Sequence, residues 1–365
     1  MNSSSDQSKN NFAPQFSIPK LVMAPMHGVV DGLMRRTIES LGGADLYVTE
    51  FLRVTSLLLP KHVVYKSVPE LKTGKSLVND KALMVQLLGG DLGALSENAC
   101  QVAEMGAVGI DLNFGCPAKT VNRHDGGATL LLYPQRIFKI VERIRQDLPN
   151  HIPLTVKMRL GFHDHSLLID NAQAAESGGA LWLTVHGRTK LQMYDPPAHW
   201  DQIQRVRQSL RIPIIANGDI TSYQDALRCQ EVTGCSSLMI GRGALANPFL
   251  FQAIRRQSEH APEALWPKLN EAVLEFFDAA REQRNEIFAM ARVKNWLNYL
   301  RRAFTQAEVL FQQIKLVENA THFRSMLTSQ FTCQLTSQLT SDHQVVHKLL
   351  IDSSIHSSVT SEVLV

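Results

Sequence analysis

Eight short apolar runs rich in β-branched residues punctuate the first 243 residues, each closing on a polar or glycine-containing stretch. They read KLVMAP (20–25), DLYVTEF (45–51), LMVQLLG (83–89), VGIDLNFG (108–115), PLTVKMRL (153–160), LWLTVHGR (181–188), IPIIANGD (212–219) and SLMIGRG (237–243). Most intervals hold a helix-like segment, such as ALSENACQVAEMGA or PQRIFKIVERIRQDL. Strands alternating with helices pair in parallel, and eight such units predict a closed (β/α)8 barrel of the TIM type. A doubly wound sheet is the rival architecture, but no GxGxxG follows the first run.

From about residue 267 the pattern turns helical until about 325. In FAMARVKNWLNYLRRAF (288–304), Val293, Trp296, Leu297, Leu300 and Phe304 recur at helical spacing and form an inward stripe. The chain is therefore an α/β protein, a TIM barrel followed by a smaller C-terminal helical domain. The expected division is a disordered tail over 1–18, a barrel over 19–255, a helical domain over 256–325 and an extension over 326–365. The extension is rich in Ser, Thr and Gln, and no function is legible in it.

Composition narrows the class. At 44 % apolar and 19 % charged, the 365 residues suit a globular protein with one large core or two ordinary ones. No apolar run approaches the roughly 18 residues of a membrane helix. The polar start, MNSSSDQSKNNFAPQFSI, lacks a signal-peptide core. The five cysteines, at 100, 116, 229, 235 and 333, lack CxxC spacing, which argues against both a zinc knuckle and a disulfide framework. A cytoplasmic protein without a metal site is expected, and a monomer.

The net charge of +3 is unevenly spread. Residues 281–325 hold eight Lys/Arg against four Glu, a local +4 that leaves −1 for the rest. On the predicted helix, Arg292, Asn295, Tyr299 and Arg302 share a face, with Lys294, Asn298 and Arg301 beside it. Such a face is either merely solvated or a polyanion-binding surface in which Arg meets phosphate and Tyr stacks.

Candidate chemistry gathers where the runs stop, at Met26, Glu50, Gln86, Asn113, Lys157, His186, Asn217 and Arg242. Barrel enzymes work at the C-terminal ends of their strands and often bind phosphate in the loops after strands seven and eight. Here those loops read ANGDI (216–220) and IGRGA (240–244). Their glycines admit an anion close to the backbone, and Arg242 adds charge. Lys157 interrupts an apolar strand, where a cation is costly unless it is paired or used. With Gln86 and His186 it suits a flat heterocycle that becomes negative on reduction. In DLNFGCPAKTVNRHDGG (111–127), Cys116 is by itself a packing residue, a nucleophile or an acid. Cys100, Cys229, Cys235 and Cys333 read as packing residues, and His124, His163 and His165 as solvated loop histidines.

Taken in order, APMHGVVD, EFLRV, VQLLG, DLNFGCPAKTV, VKMRLG, VHGRT, ANGDI and IGRGALANP resemble the tRNA-dihydrouridine synthases, flavin enzymes on a TIM barrel. ARVKNWLNYLRRAF resembles the subfamily called C, which acts on uridine 16, and extends the likeness to about residue 325. The resemblance implies FMN as cofactor, NADPH or NADH as reductant and tRNA as partner. It places Pro25, Met26 and His27 along the flavin, and Gln86, Lys157 and His186 against its ring. Asn217, Gly218, Asp219, Gly241 and Arg242 fall to ribityl and phosphate. Cys116 matches the family's catalytic cysteine, Arg53 and Asn113 the positions that meet the target uridine, and Arg292, Lys294, Tyr299 and Lys315 those that meet tRNA. Two departures stand out. His27 replaces a usually acidic residue, and Phe114 occupies a variable position.

The implied chemistry selects among the roles of Cys116. Reducing the C5=C6 bond of uracil needs a hydride at C6 and a proton at C5 from the other face. A thiol of ordinary pKa is about 97 % protonated at pH 7, so it serves as the acid. A flavoenzyme like dihydroorotate dehydrogenase, acting on a free pyrimidine, is the alternative, and a tRNA-binding chaperone without catalysis a third reading. The target base must leave its stack to reach a barrel mouth.

Overall fold

A computed structural model describes residues 17–75, 77–122 and 125–329. The expected tail at 1–18 and extension at 326–365 therefore lie largely outside the described residues, as do His124 and Cys333. The chain forms two compact units, residues 1–259 and 260–365.

In the first unit eight parallel strands alternate with helices. The strands are β1 (Leu21–Met23), β2 (Leu46–Val48), β3 (Lys81–Leu88), β4 (Ile110–Phe114), β5 (Leu154–Arg159), β6 (Leu183–His186), β7 (Ile214–Asn217) and β8 (Ser237–Ile240). Each pairs in parallel with the next, and β8 pairs with β1, so the sheet closes. A packing helix follows each strand: α1 (Gly32–Ser40), α2 (Lys61–Ser67), α3 (Leu92–Glu104), α4 (Pro134–Asp147), α5 (Leu168–Ser177), α6 (Trp200–Ser209), α7 (Tyr223–Thr233) and α8 (Leu250–Arg256), with short helical turns at Lys119–Asn122 and Arg242–Ala246 besides. Local chemistry starts several of them. Asp31 and Asp91 cap α1 and α3, and Ser222 and Asp225 form a reciprocal capping box at α7. Two short strands escape sequence reading, Leu52–Arg53 alongside the end of β3 and the antiparallel Leu77–Val78.

Period-two alternation sorts the barrel interior into two strata. The lower is apolar, with Val22, Ala24, Leu46, Val48, Met84, Trp182, Ile215 and Met239 packed as one buried cluster. Each such side chain contributes about 1.5–3 kcal/mol by leaving water. The upper is polar, because register aligns Gln86 with Asp111 and Thr155, Asn113 with Lys157 and Thr184, and Arg159 with His186 and Asn217.

The strand ends need correction in detail. Met26, Glu50 and Arg242 lie beyond their strands, in the loops that follow. Gln86, Asn113 and Lys157 lie just before the strand ends, and His186 and Asn217 are terminal.

The second unit contains α9 (Pro262–Gln283), α10 (Glu286–Leu300) and α11 (Thr305–Ile314), with helix again over 320–329. The stripe expected from spacing is its core, since Val293, Trp296, Leu297, Leu300 and Phe304 are all buried. Trp296 meets Phe276 edge-on at 5.2 Å, and Phe277 stacks on Phe323 at 5.4 Å.

Candidate active site

The upper stratum and its loops bring most of the expected residues to the barrel mouth. Lys157 Nζ donates to Asn217 Oδ1 at 3.2 Å, and Asn217 Nδ2 donates to the Met239 carbonyl at 2.8 Å. Burial, and after it Arg159, lowers the Lys157 pKa to about 8, against the opposing pull of Asp111. His186 is buried at the end of β6 and lies well below the usual histidine range. Burial is the main cause, and Arg159, Lys157, Arg188 and Arg242 depress it further. Arg188 Nη1 lies 3.4 Å from His186 Nε2. A guanidinium only donates, so Nε2 accepts and Nδ1 carries the proton. His186 is thus a neutral donor.

Two glycine loops finish this side of the mouth. Gly218 has φ +127°, and a Cβ there would lie 3.2 Å from His186 Cδ2 and 3.0 Å from Ala198 Cβ. At Gly241 a Cβ would lie 3.3 Å from both Ala24 Cβ and Met26 Sδ, so any side chain would fill the cradle between the first and last strands. Asp219 is already engaged. Its carboxylate accepts from Arg188, from the Ala198 N–H at 2.9 Å and from Arg242 Nη2 at 3.4 Å. It therefore orients Arg242 and the loop after β6, and an anion beyond it would meet the guanidinium. Pro25 and Met26 are half-buried next to Gly241, whereas His27 is exposed and stacks on Phe51 at 4.6 Å.

Across the mouth, Cys116 follows β4. Asn113 Oδ1 accepts from the Gly115 and Cys116 N–H groups at 2.9 Å each, fixing the turn that carries the thiol. At Gly127, where φ is +62°, a Cβ would press to 2.9 Å from the Cys116 carbonyl, so the closing Gly-Gly lets the loop fold back on the cysteine. Burial pushes the Cys116 thiol above its ordinary value, while the Ala118 N–H, Arg159 and Arg53 pull it back. It is a protonated thiol at neutral pH, with donors ready for the thiolate that remains when the proton leaves. Arg53 is exposed at the end of the short strand beside β3.

Sequence reading missed four residues here. Arg159 is buried and donates to the carbonyls of Gly115 at 2.8 Å, Thr189 at 3.0 Å and Met193 at 2.7 Å, tying the cysteine loop to the loop after β6. Arg188 anchors that loop through the Asp195 carbonyl at 2.7 Å. Tyr194 stays half exposed between two guanidiniums, 5.2 Å from Arg159 and 5.1 Å from Arg242. Asp111 lies beneath them. Alternation held the signal for three of these, since Asp111, Arg159 and Arg188 each stand two residues from a recognised site residue and face the same way.

On the helical unit the expected residues differ in freedom. Lys315 is exposed and pairs with Gln312. Arg292 is half-buried over Phe276, and Tyr299 lies under Arg302 at 5.5 Å. Lys294 donates to the Val317 carbonyl at 2.9 Å, so it also braces α10 against the turn after α11. His163 and His165 are exposed, and Cys229 and Cys235 are buried. No cluster of metal-ligand type occurs among the described residues, and none of their helices is long and apolar enough to cross a membrane.

Fold and site together define a (β/α)8-barrel enzyme whose mouth gathers Lys157, His186 and Arg242 at the same strand ends and loops as a protonated thiol. The dihydrouridine synthase profile matches residues 22–348, and the chain belongs to that family. The match runs past residue 325, where the resemblance was expected to end. A tRNA-dihydrouridine(16) synthase of Neisseria meningitidis serogroup A is 41 % identical over 313 residues, covering 85 % of this chain and 94 % of its own. One from Shewanella oneidensis is 43 % identical over 297 residues, covering 81 % and 93 %. Among solved structures, histamine dehydrogenase from Rhizobium sp. 4-9 shares the fold at a TM-score of 0.50 and 14 % identity, covering 65 % of this chain and 46 % of that one. A 2-naphthoyl-CoA reductase complex does so at 0.50 and 12 %, covering 66 % and 50 %. Family membership decides against an enzyme of free pyrimidines.

Proposed function

We propose that this chain reduces uridine 16 in the D-loop of tRNA to 5,6-dihydrouridine, using FMN that NADPH keeps reduced. Family membership supports the reaction, and relatives over 40 % identical along most of their length support position 16. The observation that carries the mechanism is the protonated Cys116, whose turn Arg159 ties to the strand ends that also carry Lys157 and His186, with Arg242 in the loop after β8. The latter three suit FMN in their donor chemistry, with Lys157 and neutral His186 for a ring that gains negative charge and Arg242 for a phosphate. The cradles at Gly218 and Gly241 leave the backbone open to both.

In this reading Pro25, Met26 and His27 border the cofactor, with Gln86, Lys157 and His186 at its ring. Asn217, Gly218, Gly241 and Arg242 hold its ribityl and phosphate groups, and Asp219 keeps Arg242 in place. Bound among these residues, reduced flavin would supply a hydride for C6 of the uracil. Cys116 delivers its proton to C5, and Arg159, Arg53 and the Ala118 N–H receive the thiolate. Arg53 and Asn113 meet the uracil, and Tyr194 offers a stacking face. The helical unit, through Arg292, Lys294, Tyr299 and Lys315, meets tRNA phosphates, with affinity that falls as salt rises. The protein acts in the cytoplasm as a monomer.

The test is direct. Purified protein should be yellow and, with NADPH, should form dihydrouridine at position 16 of tRNA from a strain lacking the enzyme. Dihydrouridine at another position, or none, would overturn the assignment.

The low pKa of Lys157 gives a pH signature. Below pH 8 the ammonium is charged in both free and ligand-bound protein. Above it the free protein loses the proton, so binding an anion must recover one, at about 1.4 kcal/mol per pH unit. Affinity for reduced FMN, whose ring carries the negative charge that Lys157 faces, should therefore fall by up to about tenfold per unit above pH 8 relative to oxidised FMN, measured as a steeper fall of the bound-flavin reduction potential with pH. Lys157→Met should bind reduced FMN more weakly at pH 7 and lose that extra slope.

A further inference from the structure

One buried carboxylate beneath the mouth takes no part in the chemistry above. Asp111 is 2 % exposed and lies in register between Gln86 on β3 and Thr155 on β5. Thr155 Oγ1 donates to its Oδ1 at 2.6 Å, and Gln86 Nε2 donates to its Oδ2 at 2.7 Å. Burial drives its pKa upward, and the two hydrogen bonds, with Lys157 nearby, act in the opposite direction.

A carboxyl oxygen that carries no proton only accepts hydrogen bonds, and Oδ2 accepts from Gln86. Gln86 must therefore turn its NH2 group toward Asp111, which leaves Oε1 facing Asn113. Asn113 must answer with Nδ2, at 2.8 Å, which leaves Oδ1 for the N–H groups of Gly115 and Cys116. The carboxyl group and the two backbone N–H groups, which can only donate, thus pin the chain from opposite ends and demand the same direction for every bond between them. Without Asp111, Gln86 is held at its Asn113 end alone, and its NH2 group loses the acceptor that fixes it.

We infer that Asp111 is a positioning residue, which anchors the Gln86 amide from below so that Gln86, braced against Asn113 and the turn carrying Cys116, presents N–H to bound groups. The inference rests on the flavin and acid roles proposed above. Each amide keeps a second N–H, suited to carbonyl oxygens of a flavin ring or a uracil. A flipped amide would offer a lone pair to those oxygens and repel them. A burden purely on folding is the competing account, and it is a weak reason to keep a carboxylate here, since burying one costs several kcal/mol and apolar packing does not.

The experiment compares Asp111→Leu, Asp111→Asn, Thr155→Val and the double variant D111N/T155V with active, flavin-loaded wild type. A wild type that lacks flavin or makes no dihydrouridine would sink the proposed function, so the two failures are separable. Leu removes the acceptor. Asn retains it, because its NH2 can donate to Thr155 while its oxygen accepts from Gln86. In D111N/T155V that NH2 loses its partner, so the introduced amide is free to turn it toward Gln86, and Gln86 loses its fixed acceptor at almost unchanged volume.

Asp111→Leu and the double variant should each lower kcat at saturating flavin by tenfold or more. Both should also lower the flavin reduction potential, since a donor to a ring that becomes negative is lost. Each single conservative variant should stay within about threefold of wild type. If Asp111→Leu does not fold, the near-isosteric double variant carries the test alone. Wild-type kcat and potential in the double variant would overturn the inference. So would losses in D111N as large as in the double variant.

Discussion

Replacing Cys116 with alanine is expected to cut dihydrouridine formation by two to four orders of magnitude, the usual contribution of a positioned general acid. The protein should remain folded and yellow, because the flavin-side residues come from other strands. Cys116 is held by Asn113 through its backbone N–H, a bond the substitution leaves intact. Serine should not rescue the reaction, since a hydroxyl is far less acidic than even this raised thiol. The check is single-turnover formation of dihydrouridine by flavin-reduced variant, which isolates the proton step from NADPH oxidation. A loss smaller than tenfold would mean that another group, or water, supplies the proton.

The largest effect on stability should come from Arg35, far from the chemistry. This α1 side chain is fully buried and donates from Nε and Nη2 to Glu70 Oε1 at 3.1 and 2.7 Å, and from Nη1 to the Val30 carbonyl at 2.9 Å. Glu70 Oε2, also buried, hydrogen-bonds to no group among the described residues, so Arg35 is what keeps this carboxylate tolerable. Arg35→Ala should destabilise the barrel unit by about 3–5 kcal/mol in urea unfolding, the usual cost of stranding a buried charge. Arg35→Leu combined with Glu70→Leu should recover most of it, because the cost lies in the unpaired ion. Flavin affinity should fall with Arg35→Ala as well. Val30 N–H donates to the Met26 carbonyl at 2.9 Å, so the Arg35 anchor also steadies the loop that carries Met26 and His27. A loss under 1 kcal/mol would show that the ion pair is poorly desolvated.

Asp219 illustrates how far motif reading carries. Its motif, ANGDI, marks a loop at the mouth, and the carboxylate there faces Arg188 and Arg242 and so holds their guanidiniums in place. Lys294 is similar. The spacing on α10 puts it beside the basic face, but its ammonium also holds a carbonyl 23 residues later. In both cases residue type and spacing indicate a charged side chain at a functional place, and the identity of its partner depends on contacts no local pattern encodes.

The order of apolar runs and helical intervals determined the barrel, because alternation between period-two and helical spacing admits few architectures. The motif set determined the family and pointed to most of the residues that gather at the mouth. The inward stripe of α10 was legible for the same reason as the strands, since each residue of the pattern faces one side. What only the tertiary structure decided is how strands of different sequence align. Register across β3, β4 and β5 puts Gln86, Asp111 and Thr155 in one row, and no one-dimensional spacing relates positions 25 and 44 residues apart. The pKa of Cys116 and Lys157, the neutrality of His186 and the direction of the amides follow from that alignment, because desolvation and hydrogen-bond geometry exist only once the barrel has closed.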